Sequence, residues 1–381
     1  MTGRSIAAVL LPLALLAGCA EPEAPEDPGP DDPGPQGPRP DFLIGGDISF
    51  LPEIEDHGGS YSDAEEQEDL LLLLKQHGVN VIRLKLWHTP ADDYNTLDRV
   101  KAMAARVDAA DMRFLLDIHY SDSWADPGQQ TKPAAWDTLS FSTLVDSVYQ
   151  YSRDVIAALR SQGTVPSMVQ IGNEIRPGML WPDGRVDGAY DTPQQWDRLV
   201  ALLNAGRQGV LDGAADQPPR IVIHFDNGAD NATCRWFFDH LVERGFAFDV
   251  IGLSFYPKWH GTLDALRSNL ADLAARYGKD VAVVETAYPW TLGWNDGTGN
   301  IFGTQADLHP GYPATVGGQS AFLRAVREVV QRVPGSRGLG VYYWSPEWMA
   351  VAGVPSAWEN ATLFDFGGRM LPSLTAFTGR D

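Results

Sequence analysis

Two glutamates that end apolar runs are the residues of this sequence most suited to chemistry. Glu174 closes the stretch "MVQIGNE" (168–174), and Glu285 lies within "VAVVETAYPW" (281–290). An ionised carboxylate at the end of a buried strand is costly unless a partner or a function holds it there. Two such carboxylates that face each other can act as the acid/base and the nucleophile of a retaining glycosidase, which keeps them about 5–5.5 Å apart. Either glutamate alone could be a structural ion-paired carboxylate, but together they favour catalysis.

The residues around the two glutamates predict which role each one has. Asn173 directly precedes Glu174, and an asparagine in this position can hydrogen-bond a sugar 2-hydroxyl as the oxocarbenium-like state develops. Tyr256 and Arg83 can orient Glu285 and keep it ionised as the nucleophile. Glu174 must then have the raised pKa of a general acid that later serves as the general base.

These side chains need a scaffold, and from Asp41 onward the sequence alternates short apolar runs with helical patterns. The runs with the character of buried strands are 42–47, 80–87, 113–119, 167–174, 220–225, 248–256, 280–286 and 338–344. Amphipathic helical patterns include 64–78, 96–110, 261–278 and 317–333. Apolar strands that alternate with helices indicate a parallel sheet, and eight such units are typical of a (β/α)8 TIM barrel. An open doubly wound sheet is the alternative, which the lack of a Gly-rich phosphate loop weakens.

In such a barrel the C-terminal ends of the strands form the functional face, and strands four and seven lie opposite each other. We therefore expect Glu174 and Glu285 to meet across the mouth. Polar and aromatic residues near the other strand ends are predicted to bind substrate: Asp47, Arg83, Trp87, His119, Asp122, Trp124, Asn173, His224, Tyr256, Trp290 and Trp344. Trp344, which ends the eighth run, is the candidate floor beneath the reacting sugar. The histidines have no HExxH or paired spacing, so metal catalysis is not expected.

The N-terminus has the pattern of an export signal. An apolar stretch from Ile6 to Ala17 is followed by "LAGC", which resembles a bacterial lipobox. We predict a signal peptide at 1–18, cleavage before Cys19, and a lipid on its sulfur. Eight of the 27 prolines and six acids lie within 20–40, which predicts an extended acidic linker at 19–40 ahead of a single catalytic domain at 41–381. We expect a membrane-anchored lipoprotein of the periplasm or cell surface, with a secreted form as the alternative.

Composition narrows the classes of partner. The formal net charge of −21 over 381 residues argues against nucleic acid and anionic membrane surfaces, which bind basic patches. It suits a neutral polysaccharide substrate, and we expect a monomer. The two cysteines are Cys19 and Cys234, so lipidation of the first leaves no intrachain disulfide.

Six stretches carry a resemblance to a known family. They are "GGDISFLPEIEDHGGSY", "GVNVIRLKLWHTP", "LLDIHYSDSWADPGQQTKPAAW", "VQIGNEIRPGMLWPDG", "IGLSFYPKWHG" and "VVETAYPW". In this order they resemble glycoside hydrolase family 53, the endo-β-1,4-galactanases. The resemblance implies a clan A barrel, a retaining mechanism, and cleavage of internal β-1,4-galactosyl bonds in galactan or type I arabinogalactan. It also implies Glu174 as the acid/base and Glu285 as the nucleophile.

The sequence departs from this family at two loops. "WHTP" stands where Trp-Asn-Asp-Pro is usual, and "DSWADP" where Asp-Phe-Trp-Ala-Asp-Pro is usual. Some bacterial members bind calcium through an acidic loop after the seventh strand, where this chain offers only Asn295, Asp296 and Asn300. Because a calcium site needs six to eight oxygen ligands, we expect no metal and no cofactor.

Two rival interpretations stay open. A clan A relative that cleaves mannan or xylan would share the carboxylate pair. A non-catalytic, glycan-binding surface lipoprotein built on an inactive barrel would not need it, and the presence of both Glu174 and Glu285 argues against that interpretation.

Overall fold

The eight apolar runs form parallel strands of a closed barrel in the computed structural model, which describes residues 39, 41–64 and 66–380. The barrel strands are β1 Leu43–Asp47, β2 Val81–Leu86, β3 Arg113–Ile118, β4 Met168–Ile171, β5 Arg220–Phe225, β6 Val250–Ser254, β7 Asp280–Thr286 and β8 Gly338–Trp344. Each strand pairs with its neighbours in sequence, and β8 pairs with β1 to close the barrel. The predicted (β/α)8 barrel is confirmed, and the open doubly wound sheet is wrong because the strand order closes on itself.

Helices follow the strands and cover the outside of the barrel. Within the described residues the α-helices are α1 Leu51–Asp56, α2 Leu70–Gln76, α3 Leu97–Ala109, α4 Phe141–Ser161, α5 Pro193–Ala214, α6 Asn231–Glu243, α7 Pro257–His260, α8 Leu263–Tyr277, α9 Val316–Gln331 and α10 Ser373–Thr378. Short 3-10 helices lie at Ala134–Trp136, Gly188–Tyr190, Gln305–Asp307, Pro334–Ser336 and Glu359–Ala361. Two small hairpins lie outside the barrel, Tyr61–Asp63 with Glu66–Glu68 and Gly178–Met179 with Gly184–Arg185.

One predicted helix begins later than its sequence pattern indicates. The pattern spans 64–78, but the helix starts at Leu70, because the Asp69 side chain accepts hydrogen bonds from the amides of Leu71 and Leu72 and caps it there. The acidic residues before this cap pair with 61–63 as a hairpin strand instead.

The core has two parts, separated by the barrel wall. The larger part lies between strands and helices. The smaller part is a separate cluster of Leu43, Val81, Leu115, Met168, Val222, Val250, Ala282, Val284, Leu339 and Tyr342. Most of these residues lie near the starts of their strands, as expected for side chains that fill the N-terminal end of a barrel interior.

Along each strand the interior changes from apolar to polar toward the C-terminal end. Side chains two residues apart share a face of a strand, so Val81, Arg83 and Lys85 of β2 all face inward, and so do Leu115 and Asp117 of β3. The corresponding inward positions are Met168 followed by Gln170 on β4, and Val222 followed by His224 on β5. The polar residues are buried, so the upper half of the barrel interior is a hydrogen-bonded layer beneath the functional face.

The segment to which the N-terminal predictions apply lies almost entirely outside the residues that the structure describes. The signal peptide at 1–18, the lipidated Cys19 and, apart from Arg39, the linker at 19–40 lie outside the described residues. Arg39 forms ion pairs with Asp41 and Asp280 at the start of the barrel. In the described part of the chain no helix is both long enough and apolar enough to cross a membrane.

Candidate active site

Glu174 lies in a tight turn just beyond β4. The strand ends at Ile171, three residues earlier than the sequence predicts, because Gly172 and Glu174 adopt left-handed backbone conformations with φ values of 79° and 48°. Glycine tolerates this region, whereas a glutamate there is uncommon and is held by its surroundings. The Glu174 amide donates to Nδ1 of His224 at 3.3 Å, which helps to fix the turn and brings the carboxylate to the mouth of the barrel.

Glu285 lies within β7 at an irregularity of the strand. Val283 pairs with Val341, and the next pair on the β8 side is Thr286 with Tyr343, so β7 contains one extra residue at this point. The pairing with β6 shifts at the same place. Such a bulge redirects a side chain relative to the regular pleat, and here it lies at the carboxylate that faces the mouth.

The two carboxylates meet, as the sequence predicts. One oxygen of Glu174, one oxygen of Glu285 and a ring nitrogen of His224 all lie within 4.8 Å of one another. Retaining glycosidases hold their carboxyl groups about 5–5.5 Å apart, whereas inverting enzymes hold them about 6.5–9.5 Å apart. The spacing therefore matches the retaining arrangement. These three groups are also close enough to share an ion, but each one is already hydrogen-bonded within the protein.

Arg83 holds Glu285 in a buried network of acids. Its Nη2 lies 2.9 Å from Glu285 Oε1 and donates to Asp117 at 2.9 Å, and its Nη1 donates to Asp47 at 2.6 Å. The Tyr256 hydroxyl donates to the other oxygen of Glu285 at 3.1 Å. One Glu285 oxygen is thus ion-paired and the other accepts a hydrogen bond, which fixes the carboxylate and stabilises its charge.

Glu174 has different partners from Glu285. The Ser254 hydroxyl donates to Glu174 Oε1 at 2.6 Å. Ser254 in turn lies 2.8 Å from Nε2 of His224. Nδ1 of His224 accepts hydrogen bonds from the Gln170 side chain and from the Glu174 amide. The ring proton is therefore on Nε2, which donates a hydrogen bond to the Ser254 hydroxyl. Burial lowers the pKa of His224 well below its usual range, so this imidazole is neutral and adds no charge beside Glu174.

The electrostatics separate the two carboxyl groups. Burial raises the pKa of Glu174 well above its usual range, and the carboxylates of Glu285 and Asp226 raise it further. Burial also raises the pKa of Glu285, to about 7, against the opposing effect of the Arg83 guanidinium. Since Glu285 is ion-paired with the Arg83 guanidinium and Glu174 is bonded to the neutral Ser254 hydroxyl, the proton of the pair resides on Glu174.

A cleft with a volume of about 590 Å³ opens above this pair. Of the predicted site residues, it is lined by Arg83, His119, Trp124, Asn173, Glu174, Tyr256, Glu285 and Trp344. The Trp124 and Trp344 rings lie 6.1 Å apart and are tilted by 56°. Asn173 accepts from Arg83 through its side-chain oxygen and donates to the Ala125 carbonyl at 2.8 Å, which fixes the amide at the cleft wall.

Five predicted substrate-binding residues lie outside the lining of this cleft. They are Asp47, Trp87, Asp122, His224 and Trp290. Each has a structural partner that explains its position. Asp47 binds Arg83 and the Ser49 hydroxyl, Trp87 donates to His119, and His224 binds Ser254. Asp122 accepts from the amides of Thr89 and Ala134 and joins two loops, while the Trp290 ring packs against Phe366. These five thus support the residues or loops around the cleft, and their direct contact with a sugar stays a prediction.

Several residues that line or support the site were not among those predicted. They are Lys85, Asp226, Ser254, Trp259, His260, Trp348 and Trp358. Two of them follow from the alternation of side chains along a strand, in which every second residue faces the same side. Lys85 continues the inward-facing positions of β2, and Ser254 continues those of β6. Trp358 lies far beyond the last strand, and no local pattern marks it.

The loop considered for calcium is held by its own hydrogen bonds. The Asp296 carboxylate accepts from the amides of Thr298 and Ser356, and Glu359 accepts from the amides of Asn295 and Asp296. The Asn300 side chain donates to the Gly293 carbonyl. These backbone amides fix the Asp296 carboxylate within the loop.

Comparison with known proteins identifies the family. The family model described as glycosyl hydrolase family 53 matches residues 43–377. The chain belongs to glycosyl hydrolase family 53. The resemblance seen in the six sequence stretches is confirmed, and the glycoside hydrolase class agrees with the spacing of the two carboxylates.

Other family 53 proteins match along almost their whole length. A "probable arabinogalactan endo-beta-1,4-galactanase A" of Aspergillus terreus is 40% identical over 344 residues, which cover 88% of this chain and 94% of the relative. The family 53 catalytic domain of Ignisphaera aggregans has a TM-score of 0.83 and 40% identity, with coverage of 88% and 95%. A structure from a study of two fungal β-1,4-galactanases has a TM-score of 0.79 and 33% identity, with coverage of 88% and 99%.

Proposed function

We propose that this family 53 protein is an endo-acting β-1,4-galactanase that hydrolyses internal bonds of galactan or type I arabinogalactan with retention of configuration. The observation that carries the proposal is the approach of Glu174 and Glu285 to within 4.8 Å at the mouth of the barrel. The substrate follows from the galactanase names of the relatives. The chain covers nearly all of each relative, so the whole domain is compared and not a fragment.

The geometry supports a double displacement. The ionised Glu285 attacks the anomeric carbon, while Glu174 gives its proton to the glycosidic oxygen of the departing sugar. Glu174, now a carboxylate, then takes a proton from water as the water oxygen attacks the same carbon and releases Glu285. Two carboxyl groups and water account for every bond and proton, so the proposed reaction needs no cofactor.

Aromatic side chains give the cleft its affinity for a neutral glycan. Trp124, Trp344 and Trp348 lie along the lining, and ring faces pack well against the C–H faces of sugars. Trp344 ends β8, beside the strand that carries Glu285, and is the proposed floor beneath the reacting sugar.

The cellular setting is proposed from the sequence alone. We infer export through the signal at 1–18 and anchoring by a lipid on Cys19, with the acidic linker as a spacer. A monomer is proposed, with a polysaccharide as the sole partner besides the membrane. Mass spectrometry of the mature N-terminus tests the anchor: an unmodified Cys19 in a membrane fraction would contradict it.

A panel of linear galactan, mannan and xylan tests the substrate. We expect reducing-sugar release and falling viscosity on galactan, with retained anomeric configuration in the first products by NMR. Greater activity on mannan or xylan would overturn the substrate, and inverted products would overturn the mechanism.

Replacement of the nucleophile tests the assignment of Glu285. Glu285→Gln should lower kcat by at least about a thousandfold, because the amide cannot form the glycosyl intermediate, while galactan still binds. Glu359→Gln is the control, since this buried acid lies in the 3-10 helix Glu359–Ala361, outside the cleft lining, and accepts from the amides of Asn295 and Asp296. Turnover that survives in Glu285→Gln would show that the nucleophile is another residue.

A further inference from the structure

Lys85 is a buried lysine that lines the cleft. It is 2% exposed, and it follows Arg83 on the inward face of β2. Its ammonium nitrogen lies 3.8 Å from the centre of the Phe50 ring and 3.9 Å from the centre of the Trp124 ring. The Trp87 ring centre is 5.3 Å away. Aromatic faces attract cations, so this group of rings partly compensates the ammonium for its lost hydration.

The Lys85 ammonium has no hydrogen-bonding partner in the described part of the chain. No carboxylate there comes within 4.0 Å of it, and it donates to no oxygen. Two other lysines differ, because Lys132 pairs with Asp183 and Lys258 pairs with Asp307. An ammonium has three donors, and a buried polar group without an acceptor is costly. The donors of Lys85 are therefore free for a molecule in the cleft.

We propose that Lys85 is a substrate-recognition residue whose ammonium donates hydrogen bonds to hydroxyl oxygens of a sugar packed on Trp124 and Trp348. This inference rests on the proposed function and assigns one polar contact of that site. Trp124 and Trp348, which line the cleft, would take the apolar face of the sugar, and the ammonium would meet its hydroxyl rim.

The charge of the cleft favours a neutral sugar over an acidic one. Glu174, Glu285, Asp226 and Asp126 all line it, against the two cations Arg83 and Lys85, with His119 and His260 as the remaining titratable bases. The whole chain carries −21. A sugar carboxylate would be repelled by the ionised members of this group, such as Glu285, and by the negative charge of the chain, whereas a hydroxyl accepts from the ammonium without that cost.

Loss of the Lys85 proton should weaken this contact with the sugar. Burial lowers the pKa of Lys85 to about 8. The charged groups that face it from neighbouring elements are Asp47 on β1, Glu53 on α1, Arg83 on β2, Asp117 on β3 and Glu347 after β8. As pH rises through about 8 the ammonium becomes a neutral amine and a weaker donor, so KM should rise while the sugar itself stays uncharged.

Kinetics of Lys85→Met on linear galactan test the proposal. A hydrogen bond from a charged group changes affinity by about tenfold to a hundredfold. We expect KM to rise by about that factor at pH 7, kcat to change less than about threefold, and KM to lose its dependence on pH between 7 and 9. Lys101→Met removes the same charge from the outer helix α3 and should match the unaltered enzyme in all three measurements.

Two outcomes would overturn the proposal. One is an unchanged KM in Lys85→Met, and the other is a fall in kcat alone. If the variant does not fold, the unaltered enzyme decides, because a KM that is constant between pH 7 and 9 contradicts a titrating donor. If the unaltered enzyme cleaves no galactan, the proposed function fails by itself. In that case, calorimetry measures the affinity of each panel glycan for Glu285→Gln and for the double variant Glu285→Gln/Lys85→Met. Equal affinities of the two variants, or no binding to either, would refute the role of Lys85.

Discussion

Removal of the Tyr256 hydroxyl should shift the acidic limb of the pH–rate profile to higher pH. This hydroxyl donates to Glu285 Oε2 at 3.1 Å and is buried. The hydrogen bond favours the carboxylate form and holds the pKa of Glu285 below the value that burial alone would give. In Tyr256→Phe that support is lost, so Glu285 binds its proton at a higher pH. Because a protonated Glu285 cannot attack, activity is lost earlier as pH falls.

The size of the shift follows from the strength of the bond. A hydrogen bond to a charged group contributes about 1.5–3 kcal/mol, and about 1.4 kcal/mol corresponds to one pKa unit. That range gives about one to two units. Arg83 still lies 2.9 Å from the other oxygen of Glu285 and keeps part of the stabilisation, so we expect the acidic limb to move upward by about one unit.

A matched tyrosine separates this effect from a general loss of stability. The Tyr120 hydroxyl is also buried and lies 2.8 Å from the Ser152 hydroxyl, and no carboxylate among the described residues is bonded to it. Tyr120→Phe should lower the melting temperature by an amount similar to Tyr256→Phe, without a shift of the acidic limb. The measurement is kcat/KM on galactan across pH 4 to 9. Coincident acidic limbs in the two variants would refute the role of Tyr256.

Three further variants test the other carboxylate and the barrel wall. Ser254→Ala removes a bond that lowers the pKa of Glu174, so the alkaline limb of kcat should move to higher pH by about one unit; no movement would contradict this. Asp226→Asn removes a charge that raises the same pKa, so that limb should move downward, and an upward shift would be contrary evidence. Gly45→Ala places a Cβ 2.1 Å from the Tyr342 ring and should destabilise the fold by about 1–3 kcal/mol, measured by thermal melting; an unchanged melting temperature would show that the ring moves freely.

Strand positions could be predicted well because each buried parallel strand contains a continuous run that is mostly apolar. Three of the predicted runs, 220–225, 280–286 and 338–344, coincide with the observed strands residue for residue. The helix predicted at 64–78 was wrong at its start. Its glutamates have good helix propensity, but a cap at Asp69 and a hairpin partner at 61–63 override that preference. Both are local features, a helix cap and a tight hairpin, that hydrophobic periodicity does not contain.

The candidate site was predicted in its centre and less well at its edges. The meeting of Glu174 and Glu285 follows from barrel geometry alone, since strands four and seven lie opposite each other. The direction of a side chain just past a strand end does not follow, because the turn after the strand sets it. Asp122 therefore points into a loop, whereas Trp124, two residues later, lines the cleft.

The position of one guanidinium decides which glutamate is the nucleophile. Arg83 lies among the carboxylates of Asp47, Asp117 and Glu285, so this group keeps a net negative charge even when Arg83 is fully charged. A further ionised carboxylate nearby is disfavoured, and the proton goes to the acid with no cation bonded to it. That acid is Glu174, whose bonded partner is the neutral Ser254. The general acid is thus defined by the placement of Arg83 on β2, far from Glu174 in the sequence.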